Sequence, residues 1–281
     1  MQVLKTQKEL KGAITNLRGD KGLGLVPTMG ALHQGHLSLV ERALRQNDAV
    51  VVTIFVNPTQ FNNAEDLEKY PKTLEADISL LKKASEDIIV FAPSTEEIYT
   101  TDIRSKKYDL NGLEKVMEGA FREGHFDGVG TIVETLLRMV EPDRAYFGEK
   151  DFQQLQIIKK LAKTKKIPVE IIGCPIVREP NGLAMSSRNE RLSKSLRKEA
   201  AFIYKTLKAA KKRFGTESAK SVTDWVKKQF MGHRHLKLEY IQIANAETLT
   251  PVKRKSNQTK YRAFVAVYAG DVRLIDNIAL N

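Results

Sequence analysis

Two rhythms of apolar and polar residues alternate along the first two-thirds of the chain. Short, largely apolar runs predict strands: LGLVPTMG (23–30), AVVVTIFVN (49–57), DIIVFAP (87–93), RAYFG (144–148) and VEIIGCPIV (169–177); AVVVTIFVN, nearly continuous and β-branched, is the pattern of a parallel strand covered on both faces. Between them lie segments with apolar residues at helical spacing: HLSLVERALRQND, a stretch at about 64–85, TIVETLLRMVE and DFQQLQIIKKLAKTKK. Strands alternating with helices predict a parallel sheet with right-handed crossovers, and ligands that bind beyond the carboxyl ends of its strands.

Past about residue 185 the rhythm changes. Leu196, Ala200, Ile203, Leu207 and Ala210 form one helical stripe, closed by Gly215, and Val222, Trp225, Val226 and Phe230 form a second. LKLEYIQIAN and YRAFVAVYAGDVRLIDNIAL read as strands of a small antiparallel sheet with AGD as a turn. No internal repeat or low-complexity linker interrupts the pattern. The prediction is an α/β architecture: a Rossmann-like parallel-sheet domain over residues 1–178 and a smaller C-terminal α+β domain over 179–281. The join falls within 176–190.

Length and bulk composition leave this picture intact. A chain of 281 residues, 42% apolar and 28% charged, holds one large domain or two modest ones. Charge adds to it. Residues 1–190 carry 26 Lys and Arg against 27 Asp and Glu, and residues 191–281 carry 20 against 7, so the positive excess lies in the C-terminal third. An anionic ligand or nucleic acid on that side is one reading, and lysines solvated on helix faces, as in KTLKAAKKRFG, is the other. The single cysteine, Cys174, excludes an intramolecular disulfide, and its apolar neighbours predict a buried thiol. The start, MQVLKTQKELKG, lacks the apolar core of a signal peptide, and no run approaches transmembrane length. A cytoplasmic, reducing setting with no membrane partner is the expectation.

Candidate chemistry starts with His33 and His36, three residues apart around Gly35 where a helix is predicted to begin. Helix-start N–H groups and the dipole favour an anion there. Spacing of three lets both rings lean toward one ligand, and Gly35 leaves room close to the backbone. The dipole lowers an imidazole's pKa and a bound phosphate raises it, so the rings suit donation to charge developing on phosphorus. Alone, the pair is also consistent with two histidines capping a core helix by chance. Neither the Lys-containing nor the dinucleotide-type glycine-rich phosphate loop occurs.

FVNPTQF leaves the strongest predicted strand with Asn57 and Gln60 at its carboxyl end. Carboxamides donate and accept, which suits a substrate rich in hydroxyls, although Asn-Pro is also a common turn. In YFGEKDFQQL, Lys150 is a point charge suited to phosphate, and Asp151 is suited to ribose hydroxyls or to capping the next helix. VREPNGLAMSSRN offers Ser186, Ser187 and Arg188, two hydroxyls and a planar cation for phosphate oxygens. RLSKS (191–195) reads instead as a helix cap, with Ser193 or Ser195 at N-cap. His233 and His235 have the look of a metal pair, but no acidic or cysteine cluster accompanies them, so exposed surface histidines are expected.

VPTMGALHQGHLSLV resembles the HIGH-type signature of the nucleotidylyltransferase superfamily, which includes the class I aminoacyl-tRNA synthetases. With FVNPTQF, GEKDFQQL and VREPNGLAMSSRN following in order, the chain is similar over nearly its whole length to the pantothenate synthetases, or pantoate–β-alanine ligases. The resemblance implies that pantoate's carboxylate attacks the α-phosphorus of ATP, and that β-alanine's amine captures the pantoyl adenylate. The products are pantothenate, AMP and pyrophosphate. It places ATP against Met29, Gly30, Ala31, Leu32, His33, Gln34, Gly35 and His36, against Gly148, Glu149, Lys150 and Asp151, and against Val177, Met185, Ser186, Ser187 and Arg188. His36 and His33, with Lys150 and Arg188, carry the catalysis; Gln60, Gln154 and Asn57 serve pantoate and β-alanine. Residues around 185–188 look like the mobile KMSKS-type loop, at the start of a lid-like domain, whose closure excludes water from the adenylate. REGHFDGVGTIVETLL also matches, as a helix start on the pantoate side, with His125 either structural or touching ligand. Mg²⁺ accompanying the triphosphate and a homodimer are implied. The family usually shows Asp where Asn181 stands, a departure confined to a turn.

A reading from another class is an RNA-binding module built on a synthetase-like core, with the basic third as its footprint. No basic motif interleaved with aromatics occurs, and intact nucleotide motifs would be superfluous, so no nucleic-acid partner is expected. Nucleotidyl transfer to a phosphorylated acceptor is a third reading that differs only in substrate.

Overall fold

The computed structural model describes residues 1–15, 17, 20, 22–99 and 102–281. The chain divides into two compact units: Met1–Glu149 with Gln153–Pro175, and Lys150–Phe152 with Ile176–Asn281.

The first unit is built on six parallel strands, β1 (Gln2–Leu4), β2 (Leu23–Thr28), β3 (Ala49–Ile54), β4 (Ile89–Phe91), β5 (Arg144–Gly148) and β6 (Glu170–Cys174), in the order β1-β4-β3-β2-β5-β6. The β-branched runs are buried as their composition requires, Val50, Val51 and Val52 almost completely. Crossovers are made by helices, of which α1 (Gln7–Ile14) and α2 (Gln34–Gln46) come first; α2 buries Leu37, Leu39, Val40 and Ala43. The helical stretch expected over 64–85 is divided into α3 (Ala64–Glu68) and α4 (Leu74–Lys82). Pro71 lies between them; it has no N–H to give and restricts the residue before it. The short α5 (Thr95–Ile98) and α6 (Glu118–Phe121) precede α7 (His125–Val140), which starts well before the TIVETLLRMVE pattern; α8 (Phe152–Thr164) follows β5. The sequence pattern predicts neither β1 nor α1, since a three-residue edge strand shows no usable alternation. Chain direction across the sheet reverses between β2 and β5, so the loops leaving these strands open at the topological switch point.

In the second unit, α9 (Lys194–Glu199), α10 (Ala201–Phe214) and α11 (Ala219–Met231) precede β7 (Leu236–Asn245), β8 (Tyr261–Ala269) and β9 (Val272–Ala279), an antiparallel sheet. Ile203, Leu207, Val222, Val226 and Phe230 form its core with Ile243, Val265 and Val267. Ser193, not Ser195, caps α9, accepting from Leu196 N at 3.3 Å. Gly215 ends α10 while still right-handed (φ −57), so the expected glycine stop is not a left-handed turn. Among the described residues no helix is long and apolar enough to cross a membrane.

Candidate active site

The loop after β2 is fastened at each residue. The Thr28 hydroxyl donates to Thr53 O (2.7 Å) and accepts from Gly30 N (3.2 Å). Gly30 (φ 81) and Ala31 (φ 50) then pass through the left-handed region, which suits glycine and costs an alanine roughly 1 kcal/mol. Asp77 of α4 holds that conformation. It is 2% exposed, and its carboxylate accepts from Ala31 N (3.0 Å) and Leu32 N (2.7 Å). The only trace of this role in the sequence is an acid among Leu74, Ile78 and Leu81, on the apolar face of its helix.

α2 starts at Gln34 with His33 as its N-cap. Nδ1 of His33 accepts from Gly35 N (3.1 Å), and Nδ1 of His36 accepts from His33 N (3.3 Å), a reciprocal capping box made of two imidazoles. Their ring centroids lie 4.1 Å apart. With both Nδ1 atoms accepting, the hydrogen-bond network assigns each neutral ring's proton to Nε2, where it is a donor. The expectation of open backbone N–H groups is thereby revised. His33 itself takes up one of them, and each neutral imidazole carries its N–H at Nε2.

FVNPTQF leaves β3 in a single 3₁₀ turn, Pro58–Gln60. Asn57 is 1% exposed; its Nδ2 donates to Gln60 Oε1 (3.2 Å) and Gly128 O (3.1 Å), and its Oδ1 accepts from the Tyr99 (2.6 Å) and Thr59 (3.1 Å) hydroxyls. All four hydrogen-bonding positions of that carboxamide are thus engaged within the protein. Burial pushes the Tyr99 phenol up, against the Thr59 hydroxyl, and keeps it a neutral donor. Nε2 of His125 is 3.1 Å from Arg122 Nη1, which only donates, so its proton is on Nδ1, 2.8 Å from Gln60 O. Of the two roles open to His125, the structure supports the structural one: it holds the main chain of Gln60. The Gln60 amide in turn touches Met29 Sδ, so the loops after β2 and β3 meet.

Gly128 lets α7 approach this turn. A Cβ there would lie 2.3 Å from Thr59 O and 2.7 Å from Gln60 Cα, both backbone. Gly128→Ala is expected to cost about 1–3 kcal/mol in urea unfolding, as overpacking does; an unchanged midpoint would show that the turn yields freely.

Gln153 is buried, accepting from Glu118 N (3.0 Å) and donating to Leu113 O and Val116 O, whereas Gln154 beside it is half-buried. Cys174 ends β6 with its thiol pushed up by burial, and Arg42 Nη1 3.6 Å from Sγ.

In the second unit, Lys150 Nζ is 3.6 Å from Asp151 Oδ1, and Lys150 O accepts from Asn277 Nδ2 at 2.8 Å. Residues 177–185 form a hairpin: Met185 N donates to Val177 O (3.0 Å), Arg178 bridges to Ala184, and Gly182 (φ 94) turns the chain. Asn181 accepts from Leu183 N (3.0 Å) and donates to Arg197 O (3.1 Å); an Asp there would keep the first bond and lose the second. Ser186 caps the 3₁₀ turn Ser187–Arg191, and buried Asn189 donates to Glu179 Oε1 (2.7 Å) and Ala184 O (3.0 Å). Ser187 and Arg188 are half-buried between these fastenings. Burial pushes the Asp276 carboxyl up, and the Arg178 guanidinium pulls it back. His235 Nδ1 lies 2.9 Å from Glu199 Oε2, and His233 Nδ1 accepts from His235 N and Leu236 N. Among the described residues no three His, Cys, Asp or Glu side chains are grouped to hold a metal.

A family profile described as Pantoate-beta-alanine ligase matches residues 2–279. The chain is 59% identical over 282 residues to the pantothenate synthetase of Christiangramia forsetii, covering all of both, and 48% identical to that of Bacteroides fragilis, covering 99% and 98%. It superposes on the crystal structure of pantothenate synthetase from Thermus thermophilus with a TM-score of 0.92 at 41% identity, covering 100% and 99%. Against the pantoate-beta-alanine ligase from Francisella tularensis, solved complexed with Beta-gamma ATP and Beta-alanine, the TM-score is 0.81 at 36% identity, covering 100% and 98%.

Proposed function

The chain belongs to the pantoate–β-alanine ligase family, and from that premise we propose that it joins pantoate to β-alanine through a pantoyl adenylate. A carboxylate oxygen of pantoate bonds to the α-phosphorus of ATP as the bond to pyrophosphate breaks. The amine of β-alanine then attacks the acyl carbon, AMP departs and the amine loses a proton. The observation that carries the reading is the imidazole pair at the start of α2, with both Nδ1 atoms held as acceptors, which puts each neutral ring's N–H at Nε2. Such donors strengthen as negative charge develops on the phosphoryl oxygens. The Francisella tularensis structure with Beta-gamma ATP and Beta-alanine supports ATP and β-alanine as two of these substrates.

In this reading His36, helped by His33, stabilises the charge on the α-phosphate and the departing pyrophosphate, and Lys150 and Arg188 share it. Met29–His36, Gly148–Asp151, Val177 and Met185–Arg188 serve ATP. Gln60 and Gln154 take pantoate. Asn57, expected as a substrate residue, is assigned the holding of Gln60: its Nδ2 fixes Gln60 Oε1 as acceptor and so orients the amide N–H group. Mg²⁺ would arrive on the triphosphate, bound by its oxygens. Asp77 already accepts two backbone N–H groups and is not assigned to the metal. A cytoplasmic homodimer completes the proposal.

The test is to incubate the protein with ATP, Mg²⁺ and pantoate, with and without β-alanine, and to identify products by mass. Pyrophosphate and pantoyl adenylate are expected without β-alanine, pantothenate and AMP with it. No pyrophosphate release from pantoate and ATP refutes the proposal. Gln60→Ala is expected to raise the KM for pantoate about tenfold or more, with the ATP KM changing less than about twofold. Equal weakening of both substrates contradicts the assignment of Gln60.

A further inference from the structure

Strand β9 departs from the alternation of its own sheet. Val272 and Leu274 face the core of the second unit, and the next position in that register is a carboxylate, Asp276, 4% exposed. Its neighbour Asn277, on the opposite register, is 2% exposed. Two adjacent buried polar residues at the end of an apolar strand are costly unless each is fully engaged.

Both are. Asp276 takes Arg178 in a two-pronged pair, Nη1 at 2.7 Å and Nη2 at 2.9 Å. That guanidinium also stacks on the Tyr204 ring at 3.6 Å and donates to Gly182 O at 3.1 Å. Arg178 is thereby fixed at the base of the hairpin that leads to Ser186, Ser187 and Arg188. Asn277 donates to Lys150 O at 2.8 Å and accepts from Arg262 Nη1, whose guanidinium lies over the Phe152 ring at 3.9 Å. Asn277 N donates back to Asp276 Oδ1 at 2.7 Å, so the two side chains form one rigid element.

We propose that Asp276 and Asn277 are positioning residues for ATP. From adjacent places on one strand they fix the main chain of Lys150 and, through Arg178, the root of the Ser186–Arg188 loop, two segments well separated in sequence. The inference rests on the reading that Lys150 and Arg188 handle the phosphates of ATP. Neither Asp276 nor Asn277 touches substrate. They act through Lys150 and Arg178, and a shift of either segment misplaces a charge where about 1 Å matters.

Asn277→Asp removes the donor to Lys150 O and keeps the acceptor for Arg262; Asp276→Asn weakens the hold on Arg178. On folded protein, checked by circular dichroism, each is expected to raise the KM for ATP about tenfold while the KM for pantoate stays within about twofold. Lys150→Ala is measured alongside. In the Lys150→Ala background Asn277→Asp should raise the ATP KM no further, because its effect passes through that lysine. An unchanged ATP KM in Asn277→Asp, or an equal added effect in the double variant, overturns the proposal while leaving the ligase reading in place. Normal ATP kinetics in Lys150→Ala would overturn the phosphate role of Lys150 and the proposal with it. Should Asp276→Asn not fold, the Asn277 variant and its double-variant cycle decide the matter.

Discussion

His36→Ala is expected to lower kcat by about 10²-fold or more, the loss found when a transition-state donor is removed, with a KM for ATP close to that of the unaltered protein. The geometry separates two contributions of this side chain. Nδ1 accepts from His33 N and belongs to the capping of α2, while Nε2 is the donor assigned to the phosphoryl group. His36→Asn should replace the first function, because an amide oxygen sits near the Nδ1 position, and should not replace the second. Thermal unfolding and single-turnover pyrophosphate release on both variants divide the roles. Asparagine is expected to recover stability, on the order of 1 kcal/mol for a cap, and no rate. Near-normal kcat in either variant would remove His36 from the chemistry.

Asp77→Ala should damage both stability and catalysis. The carboxylate is buried and accepts from two backbone N–H groups of a loop whose Ala31 is left-handed. Truncation leaves those donors unpaired, at about 1–3 kcal/mol each, and takes away the support that holds Ala31 in its strained conformation. The loop then has reason to relax, carrying His33 with it. A fall in urea stability of about 3 kcal/mol is expected, together with a kcat reduced about tenfold or more in the fraction that stays folded. Full stability in the variant would mean that the turn is set by Gly30 and Thr28 alone.

The sequence made most strand ends legible because the strands were apolar runs, β-branched in the clearest case, closed by glycine, proline or asparagine. The parallel sheet and the antiparallel sheet followed from periods of alternation that survive any packing detail. The histidine pair, the carboxamides of FVNPTQF and the SSR triplet were legible as well, since each is a local grouping of donors near a predicted strand or helix end. The partners that give those groups their roles were not. Asp77 fastens Ala31 and Leu32 from 45 or 46 residues away, and His125 reaches Gln60 O across 65. Gly128 matters only because α7 lies against the backbone of Thr59. The tautomers of His33, His36 and His125 follow from which ring nitrogen meets a fixed donor, a matter of ångströms rather than of residue type.

By itself, then, the sequence determined most of the strands and helices, the fold class and which family's motifs the loops match, because those depend on neighbours along the chain. Only the tertiary structure decided which of the candidate side chains are held within the protein and which residues hold them. Asn57 is bonded to Gln60, Asp77 to the loop after β2, Asp276 to Arg178 and Asn277 to the main chain of Lys150. A buried polar group acquires its function from partners that complete its hydrogen bonds, and the fold alone brings those partners within reach.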